Sequence, residues 1–407
     1  MSTRSLKQFL GLPRNAWILT STSALWSVGT AMANPYQSLY FAALGASSLV
    51  IGLLVAYGTA VTIFALLVGG YIADTWGRRR VIVIYSWVSV GSALVYSLVN
   101  SYYLAMIPLT LASVASVYTP AFNSLMMDSI EPWDRIRGFS VFSAINTLPS
   151  VFAPTFGGIL MSQFGILQGL RYAYLGSALF GVLGVTLRTM KLGETYIKTP
   201  KERKSFLSYI KDSFSSGIRA TANAGSGVKK LLLYVTLAGI GTGLTSPFAS
   251  IYVVDYLKIN PIDYSVVVDL AGLATVILLL LVVFLIRRLG SRRSILMASV
   301  AAPLSNVMFT QAKTMDELLE WGVTGAVTTA LQTPSLTTMQ AEAIEQENRG
   351  KILAMFSILP ALVSLPSSVL AGFLYHGVSP ILPFIISIVP FGAGAFILYT
   401  IGESRKS

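Results

Sequence analysis

Few residues of this chain combine reactive chemistry with a setting in which that chemistry would matter. Asp269 is one, because it stands inside a long apolar run (Val266-Val267-Val268-Asp269-Leu270-Ala271). Holding an ionised side chain in such surroundings costs about 2.5–3.5 kcal/mol on membrane-insertion scales, so a carboxylate there is expected to carry a proton or bind a cation. The other reading is an interface residue reaching water or Arg171. Asp255 and His376 fall at the ends of apolar runs, where solvated helix caps are expected. The remaining candidates are neutral. Thr30, Asn34 and Gln37 follow one another at three- to four-residue spacing and share a helix face, with Trp26 and Tyr36 adding flat aromatic surface. Tyr118, Thr119, Asn123 and Asn146 form a second polar set, Thr242, Thr245 and Ser246 a third, and Thr328, Gln332 and Thr333 a fourth. The amides carry the most weight, since a buried amide needs several partners, whereas a lone serine or threonine equally well bonds one helix to another. No lysine or arginine is expected among these groups, which suit a neutral, amphipathic or weakly cationic solute better than a strongly anionic one. Catalysis is poorly served by one histidine, no cysteine and a single deep carboxylate. No Gly-x-x-x-x-Gly-Lys-Ser/Thr loop is present to drive a nucleotide-powered pump. The chain is not expected to be an enzyme, and neither a cofactor nor a metal centre is expected.

The elements that must position these groups are membrane helices. Of the 407 residues, 54% are hydrophobic and 11% charged, with a mean hydropathy of +0.68; a soluble protein carries about 25% charged residues. Twelve apolar runs are long enough to cross a hydrocarbon core as helices: 15–42, 46–72, 79–98, 101–127, 138–162, 166–188, 230–254, 262–286, 294–311, 314–341, 352–375 and 378–401. With both ends inside, 26 of the 29 lysines and arginines fall on the inner side, ten of them between Arg188 and Lys230. Only Arg171, Lys258 and Lys313 remain outside. That asymmetry orients the chain in a cell membrane with cytoplasmic termini. It also accounts for the net charge of +12 without nucleic acid, since the basic residues sit in separate short loops. Ala31-Met32-Ala33 mimics a secretory cleavage site but is expected to stay uncut, because the segment around it recurs later in the chain.

That recurrence organises everything else. Gly29-Thr30, Pro35-Tyr36, Ser38 and Tyr40 return 212 positions on as Gly241-Thr242, Pro247-Phe248, Ser250 and Tyr252. Thr119-Pro120 with Asp128 and Glu131 returns as Thr333-Pro334 with Glu342 and Glu345, and Arg137-Gly138 as Arg349-Gly350. Two copies in the same order predict an all-α integral membrane fold of twelve transmembrane helices in two parallel six-helix repeats. The expected domains are 1–190, a cytoplasmic linker 191–228 and 229–407. In the linker, Phe206, Ile210, Phe214 and Ile218 recur every four residues, predicting a short amphipathic helix with its apolar stripe in lipid. Proline in the polar spans (Pro35, Pro120, Pro247, Pro334) frees backbone carbonyls and permits bends.

One loop is specific enough to suggest a family. Gly70-Tyr-Ile-Ala-Asp74-Thr-Trp-Gly77-Arg78-Arg79-Arg80 follows the second span and resembles the cytoplasmic signature of the major facilitator superfamily. Gly70 lets another helix approach, Asp74 can accept charge-assisted hydrogen bonds at a helix end, and Gly77 permits a tight turn. A second copy, Arg287-Arg288-Leu289-Gly290-Ser291-Arg292-Arg293, places Arg287 where the first has Asp74. The resemblance implies a central cavity lined by spans 1, 4, 7 and 10, which carry most of the polar residues above, with Asp269 facing it. It also implies a conformational latch made of the motif residues Gly70, Asp74, Gly77, Arg78 and Arg79, with Asp128, Arg137, Arg287, Glu342 and Arg349. Pro149-x-x-x-Ala153-Pro154-x-x-Gly157-Gly158 is similar to the drug:proton antiporter branch, but two of its glycines are replaced and the fourth span lacks that branch's arginine. The function expected is secondary active transport of a small solute by rocker-switch alternating access, with proton-coupled export placed first. Facilitated diffusion or import of a sugar-like or other organic metabolite comes second, and a non-transporting sensor on the same fold third. The expected partners are the solute, protons and the lipid bilayer, around a monomer.

Overall fold

The computed structural model describes residues 11–195 and 206–401. Within them the side chains of Asp74, Pro132, Ile136, residues 206–213, Leu280, Val283, Arg287 and Gln346 lie outside the description. Every regular element among the described residues is helical.

Helix α1 (Arg14–Ala31) breaks at the turn Asn34–Tyr36 around Pro35 and resumes as α2 (Gln37–Ala43). Then come α3 (Ser48–Trp76), α4 (Arg78–Leu98), α5 (Tyr102–Ala115), α6 (Tyr118–Ser129), α7 (Arg135–Ser150), α8 (Ala153–Phe164) and α9 (Ile166–Lys191). The gap between α5 and α6 lies just ahead of Pro120, and α11 (Ser226–Thr245) stops just ahead of Pro247. A proline removes one backbone hydrogen bond and clashes with the preceding turn, so each marks a break. Pro334, by contrast, is carried inside α14 (Met315–Ala343) without interrupting it. The remaining helices are α10 (Phe206–Asn223), α12 (Pro261–Leu289), α13 (Ser291–Gln311), α15 (Arg349–Gly377) and α16 (Leu382–Tyr399).

Among the described residues nine helices or broken helices are long and apolar enough to cross a membrane. The expected count of twelve is therefore not reached on length and composition alone. The segments that fall short are α1 with its serines and threonines, α13 with Asn306 and Gln311, and α14, which opens on Asp316, Glu317 and Glu320. Polar groups lower their hydropathy without shortening them.

The chain forms two compact units, Met1–Gly45 with Val61–Phe206, and Ala46–Ala60 with Leu207–Ser407, so the boundary falls inside α3. Each unit repeats the other's internal packing. In the first, α9 packs on α1 and α4, α1 on α7, and α4 on α5. In the second, α16 packs on α11 and α13, α11 on α15, and α13 on α14. The backbone repeats as well. Gly77 (φ 90°) and Gly290 (φ 82°) start α4 and α13 in a conformation that L side chains avoid. Gly45 (φ 91°) is matched 213 positions on by Lys258 (φ 59°), the one non-glycine with positive φ among the described residues.

The linker carries helix α10. Phe214 and Ala220 of α10 pack against the apolar cluster around Val228, Leu231, Ile344 and Met355 of the second unit, and Ile218 is 49% exposed. Gly217 is where the Met355 side chain comes against this helix. Of the described stripe residues Phe214 packs on protein and Ile218 is exposed, while Phe206 and Ile210 lie outside the described side chains.

Candidate solute-binding cavity in the first unit

A cavity of about 240 Å³ opens among the helices of the first unit. Six of the sequence candidates line it: Trp26, Thr30, Asn34, Gln37, Tyr118 and Thr119. They converge because α1 and α6 turn their polar faces inward, and because the break at Pro35 lets the chain carry Asn34 and Gln37 round the end of α1. The wall is completed by Ser89, Ser92 and Tyr96 of α4 and by Tyr174 and Ser177 of α9, none of them anticipated. A signal for α4 was present: Ser86, Ser89 and Ser92 follow at three-residue spacing, the rule that singled out α1.

The end of the cavity away from the Gly77 loop is closed by aromatic rings. Tyr96 and Tyr174 stack with centroids 4.5 Å apart, and Tyr40 tilts against Tyr174 at 5.2 Å. Gln37 Nε2 donates to the Tyr96 hydroxyl at 3.1 Å, and Tyr40 donates to the Tyr96 carbonyl at 2.5 Å. Along one side, α1 and α9 lie almost in backbone contact, because a side chain on Gly29 would strike the Ser177 backbone, and the Ser177 hydroxyl donates to the Gly29 carbonyl.

Beyond the cavity toward the Gly77 loop, past Trp26, Ser89 and Tyr118, lies a small second pocket with a buried cation in its wall. Arg188 of α9 is 4% exposed. Its Nε donates to Thr22 Oγ1 at 2.7 Å, one terminal nitrogen to Ser86 Oγ at 2.9 Å and the other to Ser23 Oγ at 2.7 Å. The Phe122 ring lies 5.6 Å from the guanidinium carbon, a cation–π distance. Among the described residues no carboxylate lies within ion-pair distance of it. The expectation of no embedded arginine is therefore corrected. Counting along the chain assigned Arg188 to the inner loop, three residues from the end of α9. In three dimensions its side chain turns back into the bundle, over Gly184 and Gly181, which leave room for the Thr22 carbonyl and the Trp26 ring. Hydrogen bonds to a charged group contribute about 1.5–3 kcal/mol each, so three hydroxyls can offset the cost of burying this charge without neutralising it.

The other first-unit candidates lie outside the cavity wall. Asn146 donates to the Phe142 carbonyl at 2.8 Å and faces Ser27, and Asn123 is exposed. Tyr36 donates to the Pro154 carbonyl at 3.1 Å, tying α8 to the break after α1. The motif residues make a network of their own. Arg78 pairs with Asp128 and donates to the Ser124 carbonyl at 3.3 Å. Arg79 donates its backbone N–H to Glu194 at 3.0 Å and its guanidinium to the Thr189 carbonyl at 2.9 Å. Arg137 pairs with Asp134 at 2.5 Å and donates to the Gly11 carbonyl at 3.0 Å. Next to Gly70, a close approach is found at Gly69, whose added side chain would meet the Val117 carbonyl. The side chains of Asp74 and Arg287 lie outside the description.

A model of the Major Facilitator Superfamily matches residues 19–228 and 231–407 of this sequence. The chain belongs to this superfamily. It is accordingly a multi-pass membrane transporter of small molecules and not an enzyme. YqjV of Bacillus subtilis (strain 168), an uncharacterised MFS-type transporter, is 22% identical over 318 residues, which cover 75% of this chain and 73% of the relative. A Na(+), Li(+), K(+)/H(+) antiporter of Planococcus maritimus is 27% identical over 253 residues, covering 59% of this chain and 57% of that protein. The crystal structure of the nucleoside transporter NupG superposes with a TM-score of 0.75 at 14% identity, covering 94% of this chain and 98% of that one. At that identity the likeness speaks for the superfamily fold alone.

In the second half of this superfamily member, Thr242 is exposed and donates within its own helix to Ala238 and Gly239. Gln332 is half-buried beside the Tyr234 hydroxyl. Asp269 is buried at 6% exposure in the first half of α12, and Arg171 donates to the Val99 carbonyl at 2.7 Å. Arg349 donates to the Ala341 and Ile344 carbonyls at the end of α14, and Glu342 is exposed. Asp255 is half-buried in the turn after α11, and His376 is exposed in the last turn of α15.

Proposed function

We propose that this superfamily transporter is a secondary active carrier that moves a small solute by rocker-switch alternating access, with proton-coupled export as its direction. The observation that carries the reading is the polar cavity of about 240 Å³ inside the first unit, lined by the residues of α1 and α6 that their types and spacing had singled out. The packing shared by the two units supports two bundles, residues 1–190 and 229–407, moving as bodies about the linker 191–228. Proton coupling draws on the buried Asp269 and on the likeness to the Planococcus maritimus antiporter. The motif cluster serves as the latch of that cycle, with Gly77, Arg78, Arg79 and Asp128 holding the ends of α4, α6 and α9 in register. The protein sits in the cell membrane as a monomer with both termini cytoplasmic, as the distribution of lysine and arginine supports.

The test is solute flux in proteoliposomes under an imposed pH gradient, paired with counterflow of labelled solute. Asp269→Asn is expected to abolish pH-driven flux while counterflow persists. Unchanged pH-driven flux would remove Asp269 from the coupling role. Absence of both flux and counterflow across solute classes, with folded protein in the vesicles, would end the transport reading.

A further inference from the structure

We infer that Arg188 is the receiving group for a carboxylate on the transported solute, bound at the Gly77 end of the first unit's cavity. The inference rests on the transport reading for the word solute, but the binding chemistry stands on the site itself.

A guanidinium carries five N–H donors in a planar fork; three are spent on Thr22, Ser86 and Ser23, and the Tyr118 side chain is a further hydrogen-bond partner. Thr22, Ser86, Ser23 and Tyr118 carry hydroxyls and not carboxylates, so they solvate the charge without an acidic partner. Neither helix face packed against it supplies the missing negative charge: α1 presents Thr22, Ser23 and Trp26, and α4 presents Ser86 and Ser89. From α6 come Tyr118 and the Phe122 ring. Among the described residues no acidic side chain pairs with it, so an anion that enters the cavity can supply the compensation, and arginine is the side chain best matched to a carboxylate.

The space beside the guanidinium selects the kind of anion. A pocket of about 10 Å³, room for roughly one water, lies against Arg188. Trp26, Ser89 and Tyr118 line both this pocket and the 240 Å³ cavity. A planar carboxylate can place one oxygen where that water fits and present the other to the guanidinium fork. The body of the solute then lies between the Trp26 and Tyr118 rings, with Asn34 and Gln37 beyond for a polar group.

The cage is also absent from the other copy of the repeat. At the 212-residue offset, Thr22, Ser23, Ser86 and Arg188 become Tyr234, Val235, Ala298 and Thr400. Tyr234 and Val235 belong to an apolar cluster, and Ala298 is fully buried among apolar neighbours. A cation needed only to hold the bundle together would have no reason to appear in one copy alone.

The experiment compares acids with their amides on the purified full chain in nanodiscs, at fixed pH and ionic strength. The probes are acetate, benzoate and 4-aminobutyrate against acetamide, benzamide and 4-aminobutyramide. The readouts are the unfolding midpoint and tryptophan emission. At least one acid is expected to raise the midpoint saturably and change the emission where its amide does neither. Arg188→Gln is expected to raise that acid's half-saturating concentration by about tenfold or more, as loss of a charged hydrogen-bonding partner should. Trp26→Phe leaves the cage charge in place and, once shown folded by its unfolding midpoint, is expected to abolish the emission change, placing the ligand in this cavity. If no acid outperforms its amide, the proposal falls. It also falls if folded Arg188→Gln keeps the acid response, or if the emission change survives in Trp26→Phe. Each of these outcomes is independent of whether flux is seen in proteoliposomes, so binding and transport fail separately.

Discussion

At the scale of single residues, this protein shows how little a position in the chain says about where a long side chain ends. Arg188 lies three residues from the end of α9, and its flexible stem carries the guanidinium back among Thr22, Ser23 and Ser86. Backbone conformation is more predictable than side-chain reach. Gly77 stands at φ 90°, ψ 145°, a region essentially closed to residues with a Cβ, and an added Cβ would sit 2.9 Å from a Glu194 carboxylate oxygen. Gly77→Ala is expected to cost about 1–3 kcal/mol, read as a lower unfolding midpoint. Lys258 gives the opposite sign. It occupies the left-handed region at φ 59°, where an L residue pays about 1–2 kcal/mol, and it is exposed. Lys258→Gly is expected to leave the midpoint unchanged or raise it, and a clear fall would show that its side chain makes contacts worth more than the strain.

At the scale of elements, helix placement follows from apolar run length and proline, while helix contacts depend on which small residue meets which backbone. Gly69 of α3 meets the Val117 carbonyl between α5 and α6. Gly69→Val is expected to lower the unfolding midpoint by the equivalent of about 1–3 kcal/mol through overpacking. Gly91→Ala in α4, where an added Cβ meets nothing within 4 Å, is expected to leave the midpoint unchanged or raise it. Equal losses at both positions would show that close approach does not set the cost, since both changes raise helix propensity. The linker helix makes the same point. The four-residue spacing of Phe206, Ile210, Phe214 and Ile218 announced an amphipathic helix, but spacing cannot say what the apolar face covers, and Phe214 covers the second unit's own core.

At the scale of the whole molecule, orientation is a question of charge, and the absence of cysteine makes it directly testable. A single Lys201→Cys is expected to react with a membrane-impermeant maleimide in inside-out vesicles and not in intact cells. Labelling from outside intact cells would reverse the topology. The fold class, the repeat and the polar faces of α1 and α6 were legible in the sequence, because each is a periodic pattern along one helix or a constant offset between two copies. The contribution of α4 and α9 to the cavity, the aromatic closure by Tyr96 and Tyr174, and the buried charge of Arg188 were decided only by the tertiary structure. Those features depend on which faces of separate helices are brought together, and on how far a side chain reaches once the backbones have been packed.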